Sequence, residues 1–260
     1  MTLVFAAVAT TLQGSGIVAT YDPAGTQSPD LTTLCGSDSV CWIGTETFDS
    51  WNGSAPFTTT YPTTQSTVGV TTGGISGTYT GALTRSNNYE YGGAGGSGYY
   101  PTVSNSSYTL TLTASGGVPG VNYFGLWFSA LDAGNELQFY EDGTLVYTFT
   151  PAIFQSLVGA CPAASNPFCG NPNNGDDKGE QFAFLNFFDV GGYFDEVVFT
   201  ETTSAGFESD NHTVGYMSPI TPSGTVIPDA GSAPEPRPLL LLSLGSLMLI
   251  GLRRRSAHAR

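Results

Sequence analysis

From Asp30 to Met217 a two-residue alternation of apolar and polar positions recurs, with almost no helical spacing, and this predicts that strands dominate. Tyr108-Thr109-Leu110-Thr111-Leu112-Thr113 alternates without a break, as a strand does when one face is buried and the other wet. Leu137 and Phe139 flank Gln138, Glu141-Asp142-Gly143 supplies a turn, and Leu145, Tyr147 and Phe149 resume the pattern; a hairpin is predicted there. Val121 to Leu131 and Phe182 to Val190 are nearly continuous apolar runs that suit the middle of a sheet. Phe194 to Thr200 and Gly206 to Met217 supply further strands, and Thr45 to Trp51, Thr67 to Val70 and Thr78 to Thr84 precede them. Short strands with turn signals between them and no intervening helices predict an all-β fold, an antiparallel two-sheet sandwich of jelly-roll type, over residues 30–217.

The pattern gives way in two internal loops and toward both ends of the chain. Tyr91-Gly92-Gly93-Ala94-Gly95-Gly96-Ser97-Gly98 predicts a mobile loop, because so much glycine is costly to order. Pro151 to Glu180 reads as a second long loop, and residues 218–233 as a proline-rich stalk. Residues 238–252 form an uncharged run, hydrophobic all round, that belongs in lipid. As a helix it would be about 22 Å long, short of the roughly 30 Å hydrocarbon core, so it crosses only a thinned bilayer. Arg253, Arg254 and Arg255 behind it would stay cytoplasmic, leaving everything before Pro236 outside. At the other end residues 1–20 look like an incomplete signal peptide: Leu3 to Ala9 is apolar and ends in Ala7-Val8-Ala9, but no basic segment precedes it. A start assigned too late explains that lack, and a buried first strand is the alternative.

Pro234-Glu235-Pro236, the Leu-rich run, the Arg253-Arg254-Arg255 cluster and the close of the chain after it together resemble the PEP-CTERM sorting signal of bacterial exosortase substrates. The resemblance implies transient anchoring in the inner membrane, cleavage near Pro-Glu-Pro by an exosortase-type transpeptidase, and delivery to the cell surface or exopolysaccharide matrix. Arg237-Pro238 departs from the pattern, where a small polar residue is more usual. The body carries a second resemblance. Phe124 to Leu137, Asn186-Phe187, Phe194 to Phe199 and Gly206 to His212 are similar to one group of exosortase-dependent surface proteins, which implies location and a sandwich fold but no reaction.

Charge sharpens this picture. The formal net charge is -14, yet five of the 7 basic residues follow Pro236. Before it, Arg85 and Lys178 stand against all 21 acidic residues, a net of -19. Such a surface repels phosphate backbones, so no nucleic-acid partner is expected, and divalent cations are the natural associates. The four cysteines fit an oxidising exterior, and their grouping as Cys35/Cys41 and Cys161/Cys169 favours two local disulfides over crossed pairings or zinc.

Candidate chemistry is sparse. His258 lies in the tail, so a neutral-pH base would have to be His212, and there is no Gly-x-Ser-x-Gly elbow to pair with it. Glu208 and Asp210, on one face of a strand, form the carboxylate pair to weigh for glycoside hydrolysis. Many jelly-roll carbohydrate-binding modules hold a structural calcium where their first and last core strands meet. Glu46 and Asp49 open this domain and Asp195 lies near its close, so these three are expected to contribute to such a site if one exists. Asp176, Asp177 and Glu180 fail the spacing of an EF-hand and read as a solvated turn. Tyr89, Tyr91, Tyr99 and Tyr100 flank the glycine-rich loop and could stack on sugar rings, whereas Trp51 and Trp127 belong to the core. The reading is an exported, non-enzymatic surface or matrix protein that requires no cofactor and does structural or adhesive work in an exopolysaccharide layer. Its rivals are a carbohydrate-binding module and a polysaccharide-degrading enzyme on the same fold.

Overall fold

The computed structural model describes residues 16–36, 40–61 and 74–228. The apolar segment before Gly16, the expected strand Thr67 to Val70, and the C-terminal Pro-Glu-Pro, apolar run and arginine cluster lie outside the described residues. In chain order the elements begin with β1 (Gly16–Tyr21), α1 (Leu31–Cys35), β2 (Val40–Glu46), β3 (Phe57–Tyr61), β4 (Gly74–Gly81), β5 (Thr84–Ser86), β6 (Tyr100–Val103) and β7 (Ser106–Ser115). They continue with β8 (Tyr123–Ser129), β9 (Asn135–Glu141), β10 (Thr144–Phe149), α2 (Pro151–Val158), β11 (Ala183–Val190), β12 (Glu196–Glu201), β13 (Phe207–Ser218) and β14 (Thr225–Val226).

These strands form two antiparallel sheets packed as a sandwich. The larger runs β14-β1-β11-β8-β13-β6-β5, with β2 also paired to β13, and the smaller runs β10-β9-β12-β7-β4-β3. Local patterning explains which residues go where. In β7, Tyr108, Leu110 and Leu112 enter the core while Thr109 and Thr111 face away. The β9–β10 hairpin turns on Asp142 and Gly143, at φ 48° and 74°, the paired left-handed backbone that Asp-Gly adopts readily. The central strands lack alternation because both their faces are covered. In β8, Phe124, Leu126 and Phe128 point between the sheets, and Tyr123 and Trp127 join separate apolar clusters on the outer face. Phe187 of β11 meets the rings of Phe139 at 4.8 Å and Phe149 at 5.4 Å, tying the larger sheet to the smaller.

Several boundaries differ from the sequence expectation. The strand expected over Thr45 to Trp51 stops at Glu46, because Phe48 takes φ 58° and a turn closes with the Trp51 amide donating to the Phe48 carbonyl. The insert expected as an extended loop opens with α2, started by Pro151 and docked through Phe154 against Tyr21 and Phe168. The sandwich also exceeds residues 30–217. β1 supplies residues 16–21 beside β11, and the Ile227 amide donates to the Ala19 carbonyl at 2.9 Å with Ile227 buried, so part of the expected stalk belongs to the sheet. The cysteines pair locally as expected: Cys35–Cys41 and Cys161–Cys169 each span 5.5 Å between Cα atoms.

Candidate functional site

A bulge in β13 sets which side chains face the interior. Phe207 and Ser209 point between the sheets, and by alternation Glu208 and Asp210 point to the outer face. At Asn211, with φ 49°, the register against β8 slips between Asp210 and Thr213. Beyond the slip the even positions turn inward, so His212 and Val214 enter the core.

The outer face near Glu208 and Asp210 is roofed by two loops. Trp127, Ala130, Phe182 and Phe184 form an apolar patch there, and Tyr91 and Ala94 pack onto it. The glycine-rich segment, expected to be mobile, makes a 3-10 turn at Ala94–Gly96 and is held at several points. The Ala94 amide donates to Asp210 Oδ2 at 2.8 Å, and the Gly95 amide donates to Gln27 Oε1. Asn171 and Asn174 each donate an amide to the Tyr89 carbonyl, at 2.9 and 2.7 Å, binding the insert to this roof. Glycine allows the close approach. A Cβ at Gly92 would stand 2.6 Å from the Tyr100 ring, which is buried beneath it. Gly92→Ala should therefore cost about 1–3 kcal/mol, read as a lower urea midpoint at unchanged m value. An unchanged midpoint would show that the ring and roof yield freely.

Carboxyl groups collect under and beside the roof. Burial, reinforced by Asp132, pushes Glu208 up to about 8. Burial raises Asp210 to about 7 although the Ala94 and Asn211 amides hold it down. Glu180, expected in a solvated turn, is instead half-buried and pushed up to about 8 by desolvation and by its contact with Asp177. Asp132 rises above the usual carboxylate range, chiefly by burial and then through Glu201. Glu208 and Asp210 project from one face of β13, where alternate Cα atoms stand about 6.6 Å apart, and Glu208 holds its proton at neutral pH. A proton donor beside a second carboxyl is the apparatus of glycoside hydrolysis. Asp210, however, is 3% exposed and engaged by the roof.

The expected site residues fare differently. The four tyrosines do not form one stacking platform. Tyr100 is 1% exposed and donates its hydroxyl to the Asn88 carbonyl, the Arg85 guanidinium covers the Tyr99 ring at 3.1 Å, and Tyr91 packs on the patch around Trp127. Tyr89, 55% exposed, keeps a ring in solvent. Of the residues expected to bind calcium, Glu46 and Asp49 share one turn and Asp195 lies apart from them. Glu46 ends β2 in the larger sheet and caps the Phe48 amide, Asp49 accepts from the Tyr99 amide, and Asp195 precedes β12 in the smaller sheet and accepts from the Asp142 amide. Among the described residues no group of three or more His, Cys, Asp or Glu is placed to hold a metal. Glu46, Asp49 and Asp195 are thus each engaged by a main-chain amide, and Asp195 is not brought together with the other two.

His212 is no surface base. It is fully buried, its Nδ1 lies 3.0 Å from the Tyr79 hydroxyl and its Nε2 2.9 Å from Ser209 Oγ. Tyr61 meets Tyr79 at 2.9 Å and Tyr108 meets Ser209 at 3.1 Å, so a chain of hydroxyls bridges β3, β4 and β7 to β13 through one imidazole. Phe199 stacks on the ring at 5.0 Å. No substrate reaches this serine–histidine pair; it is an inter-sheet connector. One cleft open to solvent lies elsewhere, about 360 Å³ lined by Asp22, Pro23, Ser28, Asp30, Leu34 and Asn186. No protein-family model, no curated protein and no solved structure matches the chain.

Proposed function

We propose that this chain is an exported cell-surface or extracellular-matrix protein, sorted through its C-terminal Pro-Glu-Pro signal by an exosortase-type transpeptidase. Its sandwich does structural or adhesive work in an exopolysaccharide layer. The observation that carries the reading is the paired state of the cysteines: the two disulfides suit an oxidising exterior and leave no free thiol among the described residues. The anionic body adds support, since a net of -19 before Pro236 favours cations and neutral sugars over nucleic acid. No cofactor is needed for such a role. Mass spectrometry of the mature protein is expected to find a C-terminus near Pro234 to Pro236 and none at Arg260. Intact Arg260 in the exported form would refute sorting by cleavage.

A second reading, a carbohydrate-binding or polysaccharide-degrading domain, draws on the protonated Glu208 beside Asp210. Because Asp210 is locked to the Ala94 amide, that reading requires the glycine-rich roof to lift before a sugar could enter.

A further inference from the structure

Asp189 is a buried carboxylate with no positively charged partner. It lies one residue from the end of β11 with 0% exposure, neither Oδ1 nor Oδ2 has a hydrogen bond of normal geometry, and the Gly192 main-chain amide is near enough to favour its ionised form. Alternation along β11 turns it the same way as Leu185 and Phe187, toward the space between the sheets. Phe187 meets Phe139 of β9 across that space, and Glu141 follows Phe139 by two residues on the same face of β9. Glu141 thus stands opposite Asp189 at the mouth of the sandwich, close enough for its charge to act on Asp189.

Leaving a buried charge without a counter-charge costs several kcal/mol, and two carboxyls facing each other add repulsion. The usual remedy within a chain is a lysine or arginine. Among the described residues the candidates are Arg85, which lies over the Tyr99 ring, and Lys178, which sits in the insert beside Gly170. Neither reaches this end of β11.

We propose that Asp189 and Glu141 form the carboxylate half of a binding site for a hard divalent cation of the calcium class, at the mouth of the sandwich between β9 and β11. Calcium takes six to eight oxygens at about 2.3–2.6 Å in flexible geometry, which two carboxylates, main-chain carbonyls and water can supply. The turn from Val190 to Tyr193 and the β9–β10 hairpin flank the pair and offer such carbonyls. A cation here fastens the two sheets at the end where the aromatic core stops. The site is separate from Glu46, Asp49 and Asp195 and does not depend on how the chain is sorted.

The test is thermal unfolding of the full chain, stripped with EDTA and then given millimolar calcium chloride. Wild type should gain at least several degrees in Tm, Asp189→Asn should gain none, and Glu141→Gln should gain less than wild type. Terbium supplies a second readout, since Tyr140 and Tyr193 near the site can sensitise its emission: a saturable signal displaced by calcium is expected, and Asp189→Asn should abolish it. An equal Tm in EDTA and calcium, or an equal gain in Asp189→Asn, would overturn the proposal. If Asp189→Asn does not fold, an undiminished terbium signal in Glu141→Gln overturns it as well.

Discussion

Replacing His212 with glutamine should destabilise the domain by about 2–3 kcal/mol at pH 8, a penalty that should vanish near about pH 4.5 and reverse in sign by about 1–2 kcal/mol as the pH approaches 3. The loss at pH 8 follows from the hydroxyl chain, because Tyr79 and Ser209 would lose well-placed partners in the core. The pH dependence follows from burial, which holds the imidazole down at about 3 against roughly 6.5 in the unfolded chain. Above pH 6.5 the ring is neutral in both states and wild type keeps the full benefit. Below it the unfolded chain takes up a proton that the folded one refuses, so wild type loses stability until about pH 3, by on the order of 4 kcal/mol. Glutamine does not titrate and loses nothing by this route. Glu180, Glu208 and Asp210 act in the opposite sense, being raised, so their contribution improves on acidification in both proteins and cancels in the difference. Urea denaturation of both proteins at several pH values reads the gap directly. A gap that stays constant with pH would mean that the ring protonates freely inside the fold.

The fold class was legible because its signals are local. The alternation of Tyr108 to Thr113, the Asp142-Gly143 turn and the short spacing of the cysteine pairs act over a few residues, and each appears where the pattern puts it. What stayed hidden depends on pairing between distant segments. β1 and β14 join a sheet through β11 and each other, so neither short stretch shows its burial in its own sequence. α2 was masked by the glycine, proline and asparagine around it. Where Asp195 lies relative to Glu46 and Asp49 was not legible, because it depends on a strand order that alternation does not contain. At the site, the pairing of Glu208 with Asp210 was readable as an i, i+2 spacing, whereas the inward turn of His212 was not, because a single left-handed Asn211 reverses the parity of everything after it. Asn-His late in a long strand was the available cue, since asparagine tolerates that backbone better than other residues with side chains. Tyr100 was misjudged for a related reason: the glycines that looked like freedom are what let the chain lie flat on its ring.

Glu208→Gln should stabilise the protein at alkaline pH by on the order of 3 kcal/mol and leave it unchanged below about pH 4. In wild type the carboxyl is held up at about 8, chiefly by burial and then by Asp132, against roughly 4.3 in the unfolded chain. Below pH 4 it is protonated in both states and costs nothing. Between 4 and 8 the unfolded chain releases a proton that the folded one retains, so wild type loses stability as the pH rises, and above 8 the full penalty of a buried charge is present. At about 1.4 kcal/mol per unit, trimmed because Glu208 is only partly buried, the penalty comes to that size, and glutamine escapes it while keeping an oxygen for the Thr102 hydroxyl. Equal stability of the two proteins at pH 9 would mean that Glu208 is ionised without cost and the outer face is wetter than its roof implies. The same variant separates the two functional readings. A structural carboxyl gives a more stable protein with unchanged adhesion, and release of reducing ends from polysaccharide stays absent in both. A general acid would instead give hydrolysis in wild type that Glu208→Gln reduces by at least 100-fold, because a donor at this position contributes about 10²–10⁴ in rate. A protein that keeps a carboxylic acid protonated at this cost in stability without using it for chemistry is the expected result, since Asp210 beside it is already committed to fastening the glycine-rich roof.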